Sequence, residues 1–153
     1  LKDFIELSKR LESIYCIVLV GLSKAQIKKL PQNIIGIEKT ESVEELVQFY
    51  ANADAFVNPT WEDNFPTTNI ESLSCGTPVI TYKTGGSPEA ICDRTGVIIE
   101  KGDIQGLLYA IKYISRKGKS YFLSSCRERA LKLYNKNDRY SEYLNLYNTL
   151  LTK

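Results

Sequence analysis

The chain is 153 residues long, one domain's worth, with 20 Lys and Arg against 18 Asp and Glu for a net charge of +2. Hydrophobic residues make up 43% and charged residues 25%, globular values that exclude a disordered, collagen-like or fibrous chain. There is no His, which excludes a His general base or His metal ligand within the chain, and no apolar run approaches the length that spans a bilayer as a helix.

Leu1-Lys2-Asp3 shows no signal-peptide pattern and no initiator Met, so the chain is expected to begin mid-gene or after a cut. Phe4, Leu7, Leu11 and Ile14 recur at helical spacing and predict a helix over 3–13. The apolar run 16–20, ended by Gly21, predicts a strand buried on both faces. A short helix is expected over 23–30, stopped by Pro31, then a strand over 34–37. Val43, Leu46, Val47, Tyr50 and Ala51 form one helical stripe, so 43–53 reads as a helix with Ser42 as N-cap.

Residues 55–57 predict the third strand, and the polar loop 58–66 follows it. A helix starts near Thr67 and ends at Cys75-Gly76, with Gly76 as the C′ residue. Residues 78–81 predict the fourth strand. Gly85-Gly86 makes a turn, then Ser87 is expected as N-cap and Pro88 as the first helical residue. Residues 97–99 predict the fifth strand, and helices over 103–116, 119–134 and 138–151 complete the chain. Their stripes include Leu123, Cys126, Ala130 and Leu133, then Leu144, Tyr147 and Leu151. Tyr140, Tyr143 and Tyr147 share one helical face.

Strands alternating with helices imply βαβ units, and hence an α/β, Rossmann-like, doubly wound parallel sheet with helices on both faces. Ligands of such sheets bind beyond the carboxyl ends of the strands, which directs attention to the loops after Val20, Ile37, Val57 and Thr81. Neither GxxxxGK[ST] nor GxGxxG occurs, so the usual phosphate cradle and dinucleotide turn are absent. Cys16, Cys75, Cys92 and Cys126 form no CxxC pair and are expected to be small buried residues in a reducing compartment.

Residues 57–92 carry the most information. Their polar loop follows a strand and leads straight into a helix, where Thr67 and Thr68 hold unpaired first-turn N–H groups. Such a helix start is an anion site, by its free donors and its dipole. Glu71, one turn further on, can accept hydrogen bonds from the paired hydroxyls of a ribose, and Asp63 lies in the loop. Ordinary capping also explains acids near a helix start, and the residues alone leave both readings open.

The run Asn58-Pro59-Thr60-Trp61-Glu62-Asp63-Asn64-Phe65-Pro66, followed by Ile70-Glu71-Ser72-Leu73-Ser74-Cys75-Gly76-Thr77-Pro78-Val79-Ile80, resembles the retaining GT-B glycosyltransferases of family 4, the group 1 glycosyltransferases. Gly85-Gly86-Ser87-Pro88-Glu89 is similar to that family's next motif, and residues 97–103 to its strand-then-Gly-Asp turn. The resemblance implies the C-terminal half of a GT-B fold, with 1–153 as a nucleotide-sugar-binding domain. Aligned on Phe65 and the prolines, Asp63 stands where the family has its first Glu and Glu71 where it has its second, with seven residues between them.

The resemblance implies catalytic roles for Asp63 and Glu71, and donor binding by Asn64, Phe65, Pro66, Thr67, Thr68 and Glu71. Glu71 would take the ribose, the amides near Thr67 and Thr68 the diphosphate, and Asp63 the transferred sugar. Asn64 and Pro66 replace the family's two glycines. Pro66 has no N–H, so Thr67 and Thr68 are left to supply the phosphate donors.

The family's phosphate-gripping Arg and Lys, its first C-domain strand and its N-terminal acceptor domain do not occur in these residues. The chain therefore reads as the donor-binding half of a hexosyltransferase-type enzyme, inactive alone. Surface-polysaccharide or glycolipid synthesis is the expected setting, in the cytoplasm or at the inner face of the membrane. A nucleotide-sugar donor and the protein's own N-terminal acceptor domain are the expected partners. No cofactor, metal or nucleic acid is expected. Residues 101–139 hold ten basic and three acidic side chains, a face that suits anionic lipid headgroups. Half of a nucleotide-sugar 2-epimerase, or a non-catalytic nucleotide-binding or interaction module, are the rival readings.

Overall fold

The computed structural model describes residues 1–152. Its elements are α1 (Lys2–Ser8), β1 (Ile17–Val20), α2 (Lys24–Ile27), β2 (Ile34–Ile37), α3 (Val43–Asn52), β3 (Phe56–Asn58), α4 (Thr67–Ser74), β4 (Val79–Tyr82), a 3₁₀ turn (Ser87–Ala90), β5 (Gly96–Ile99), α5 (Ile104–Lys117), α6 (Ser120–Tyr134) and α7 (Lys136–Leu151).

Every strand pairing is parallel. The strands form two sheets: β1 with β2, Ile17 opposite Ile34, and β3-β4-β5, Phe56 opposite Val79 and Val79 opposite Gly96. All four residues of β4 are buried, so both faces of its sheet are covered. Helix α4 packs on β3, β4 and α6, whereas α5 packs on β4, β5 and α1. The expected layering, helices on both faces of a parallel sheet, is thus present. Tyr82, Phe122, Leu73, Ile80, Leu107 and Ile114 fill the core between these layers, and Leu7 of α1 joins them.

Several sequence expectations need correction. Helix α1 ends at Ser8 rather than at 13, because the chain must turn into β1; Ile14, expected on its apolar stripe, is 78% exposed. Strand β1 is not buried on both faces: Val18 and Val20 are 41% and 38% exposed. Both β1 and β3 have a partner on one side only, and α2, a single turn capped reciprocally by Ser23 and Gln26, packs chiefly on β2. Helix α3 has its expected Ser42 cap, with Ser42 Oγ accepting from Glu45 N–H, but buries only Tyr50.

Ser87 is not an N-cap. Gly86 is, and Ser87 opens the 3₁₀ turn with its hydroxyl buried and unpartnered. Gly76 follows the C-cap of α4 with φ +75°, as the C′ reading requires. All four cysteines are free, but only Cys126 is buried; Cys16 and Cys92 are exposed. Leu123, on the expected stripe of α6, is 43% exposed. Helix α7 forms and buries none of its residues. Among the described residues no helix is long and apolar enough to cross a membrane.

Candidate functional site

The carboxyl ends of β3 and β4 deliver the loops 59–66 and 83–86 to one end of their sheet. Side-chain hydroxyls stitch these segments together. Thr81 Oγ1 donates to Asn58 O at 3.0 Å and Thr84 Oγ1 to Thr60 O at 3.1 Å. Gly86 N–H donates to Asp63 O at 3.3 Å. A Cβ on Gly85 would lie 1.9 Å from Asp63 O, and one on Gly86 2.0 Å from Asn64 O. The Gly-Gly turn therefore lets one backbone support the other directly beneath Asp63 and Asn64.

Asp63 is half-buried, and its Oδ1 accepts the Phe65 N–H at 3.1 Å, a local Asx turn. Its Oδ2 has no partner among the described residues. Asn64 is exposed. The Phe65 ring packs 5.9 Å from that of Tyr134 at the end of α6, and Pro66 is buried. Phe65 and Pro66 thus anchor the loop with their side chains.

Pro66 is the N-cap of α4 and contributes no side-chain acceptor. Asn69 N–H bonds back to Pro66 O at 3.1 Å, while the Thr67 and Thr68 amides have no partner among the described residues and both residues are exposed. The helix start accordingly offers two free donors and the positive end of a dipole. Asn69 is wholly buried below it. Its Oδ1 accepts from Asn58 Nδ2 at 3.0 Å, and its Nδ2 donates to Ser87 O at 3.3 Å. That pair of bonds locks α4 to the end of β3 and to the 3₁₀ turn. Arg129 of α6 ties the turn from the other side, donating to Ala90 O at 2.7 Å and Glu89 O at 2.9 Å.

Glu71 lies one turn into α4 and is exposed. Its Oε2 accepts from the Tyr50 hydroxyl at 3.1 Å. Tyr50 is 8% exposed, edge-on to Phe56 at 5.3 Å. Its carbonyl accepts from Thr77 Oγ1 at 2.5 Å and from Lys119 Nζ at 3.1 Å. Lys119 also donates to Ala51 O and Ala53 O, which caps the end of α3. Burial, and next the charge of Glu71, push the Tyr50 hydroxyl far above the usual phenol range, so it remains a donor.

Trp61, 54% exposed, borders the same end of the sheet. Its indole N–H and the Tyr82 hydroxyl both donate to Asp3 Oδ2 at 2.9 Å, and the Lys101 ammonium sits 5.1 Å from its ring centroid.

Asp63, Asn64, Thr67, Thr68 and Glu71, all expected at the site, thus gather around the start of α4, with Phe65 and Pro66 as the packing beneath. Chemically, the amides suit an anion and the two carboxylates suit hydroxyl groups. No group of three or more His, Cys, Asp or Glu among the described residues could hold a metal ion. Sequence reasoning missed Tyr50, Asn58 and Asn69. Tyr50 read as part of an apolar stripe, and no spacing signal links it to Glu71, 21 positions on.

Comparison with known proteins places these features in a wider set. The family model "Glycosyl transferases group 1" matches residues 1–117. A D-inositol 3-phosphate glycosyltransferase from Mycobacterium sp. (strain KMS) is 30% identical over 91 residues, 59% of this chain and 21% of that protein. A sucrose-phosphate synthase from Thermosynechococcus elongatus superposes with a TM-score of 0.85 at 22% identity, over 99% of this chain and 42% of its own. Anabaena Alr3699/HepE, solved in complex with UDP, superposes with a TM-score of 0.73 at 20% identity, over 94% and 44%. This chain spans about a fifth of the length of that curated relative and under half of those solved chains.

Proposed function

The chain belongs to the group 1 glycosyl transferases, and from that premise we propose that it is the C-terminal, nucleotide-sugar-binding domain of a retaining, metal-independent glycosyltransferase of family 4. The observation that carries this reading is the start of α4. Two unpartnered amides, Thr67 and Thr68, lie one turn from an exposed carboxylate, Glu71, whose second oxygen is uncommitted.

On this reading the donor's diphosphate sits on the two amides, where helix dipole and N–H donors meet its charge. Glu71 accepts from the ribose hydroxyls and Asp63, through Oδ2, from the transferred hexose. Loss of the nucleoside diphosphate builds negative charge at the phosphate, and the preorganised α4 amides stabilise it as the sugar's anomeric bond breaks. No cofactor takes part.

The free edges of β1 and β3 support a further element of the proposal. One more parallel strand, from the rest of the protein, lies between them, at the point where a doubly wound sheet reverses its order. An acceptor domain completes the enzyme, so the chain alone transfers no sugar. Its setting is surface-polysaccharide or glycolipid synthesis in the cytoplasm, the basic segment 101–139 favouring anionic membrane.

Titration of the ¹⁵N-labelled chain with UDP, GDP and ADP to millimolar concentration tests the reading. One of the three is expected to shift the amide resonances of Asn64, Thr67 and Thr68 most. Saturable shifts centred elsewhere, or none with any of the three, would overturn it.

A further inference from the structure

We infer that Tyr50 is a positioning residue for donor recognition: its hydroxyl fixes the Glu71 carboxylate in the orientation that accepts the ribose hydroxyls. The inference rests on the donor-site reading above and concerns a residue outside the loop and helix that form the site.

Glu71 is exposed on the second turn of α4, where a glutamate side chain ordinarily samples several rotamers. A ligand that needs one of them must bear the cost of ordering it. Here Oε2 is already held, at 3.1 Å, by the Tyr50 hydroxyl. Tyr50 cannot follow Glu71 into solvent. Its ring is buried edge-on against Phe56 of β3, and its carbonyl is bonded by Thr77 and by Lys119. The anchor therefore belongs to the core, and it reaches the site through a single O–H group. With Oε2 occupied, Oε1 remains for the ligand, which makes the carboxylate an acceptor of fixed direction. A bond between a phenol and a carboxylate is charge-assisted. Burial, and next the charge of Glu71, keep the proton on Tyr50, so its hydroxyl remains a donor at neutral pH.

Tyr50→Phe removes only the hydroxyl and keeps the ring against Phe56. The measurement is the dissociation constant of the NDP that binds tightest among UDP, GDP and ADP, beside that of its 2′,3′-dideoxy form. Wild type, Tyr50→Phe, Glu71→Gln and the double variant are compared. Tyr50→Phe is expected to weaken the ribonucleotide roughly 2- to 10-fold, the effect of one hydrogen bond, and to leave the dideoxy form unchanged. In the Glu71→Gln background it should add no further loss. A Tyr50→Phe that weakens both nucleotides equally, or neither, overturns the inference. If Glu71→Gln abolishes the preference for ribose while Tyr50→Phe retains it, this inference alone fails. If Glu71→Gln changes nothing, the donor-site reading fails and takes the inference with it.

Discussion

Gly86 shows how tightly the site is built at the scale of one residue. Its φ of −86° suits any amino acid, yet a Cβ there would lie 2.0 Å from Asn64 O and 3.1 Å from the Phe65 ring. Neither a backbone carbonyl nor a ring held against Tyr134 can yield cheaply. Gly86→Ala is therefore expected to cost about 1–3 kcal/mol of stability, the range for overpacking a filled space, and to displace the loop that carries Asp63. Chemical denaturation checks the first effect and NDP titration the second; an alanine variant of wild-type stability and affinity would show that the two loops are not in register contact. That Asp63, Thr67, Thr68 and Glu71 gather around one helix start was legible, because the polar loop 58–66 runs straight into α4. Asn69 was not. An Asn in a first helical turn reads as solvated, and only the approach of Asn58 and Ser87, 11 and 18 positions away, makes it a wholly buried brace.

At the scale of elements, local signals succeeded where they governed local structure. Ser42 and the stripe behind it set α3 within a residue of its expected end, and Cys75-Gly76 closed α4 through a left-handed glycine. Periodicity misled where tertiary demands overrode it. Leu11 and Ile14 continue the spacing of α1, but the chain leaves the helix at Ser8 to reach β1. The run 16–20 looks like a central strand, yet one edge of β1 has no partner and its Val18 and Val20 are open. Helix α7 is the clearest case. It presents Tyr140, Tyr143, Leu144 and Tyr147, each at least 57% exposed, and none of its residues is buried. By contrast, α5 buries Leu107, Leu108, Ala110 and Ile114. Local opening is easiest where few apolar contacts resist it, so amides of α7 are expected to exchange with solvent far faster than those of α5. Hydrogen exchange of the purified chain measures this directly, and equal protection in the two helices would mean that α7 is covered.

At the scale of the whole molecule, three features stand together. The sheet is divided between β1 and β3, leaving two unpaired edges of the kind proteins seldom expose. The last helix is bare. The chain spans 42% of the solved sucrose-phosphate synthase it superposes on. At the end of the β3-β4-β5 sheet, by contrast, the Gly-Gly turn, the buried Asn69 and the Tyr50 anchor hold the start of α4. Whether that start binds a nucleotide through Glu71 decides the donor-site reading. Glu71→Gln preserves size and helix start while removing a charged acceptor, whose hydrogen bond contributes about 1.5–3 kcal/mol. Titration of wild type and Glu71→Gln with UDP, GDP and ADP is expected to show a loss of affinity of roughly 10- to 150-fold for the nucleotide that binds. Unchanged affinity, with only about a few tenths of a kcal/mol lost in stability through the helix dipole, would make Glu71 an ordinary helix-start acid and remove it from the donor site.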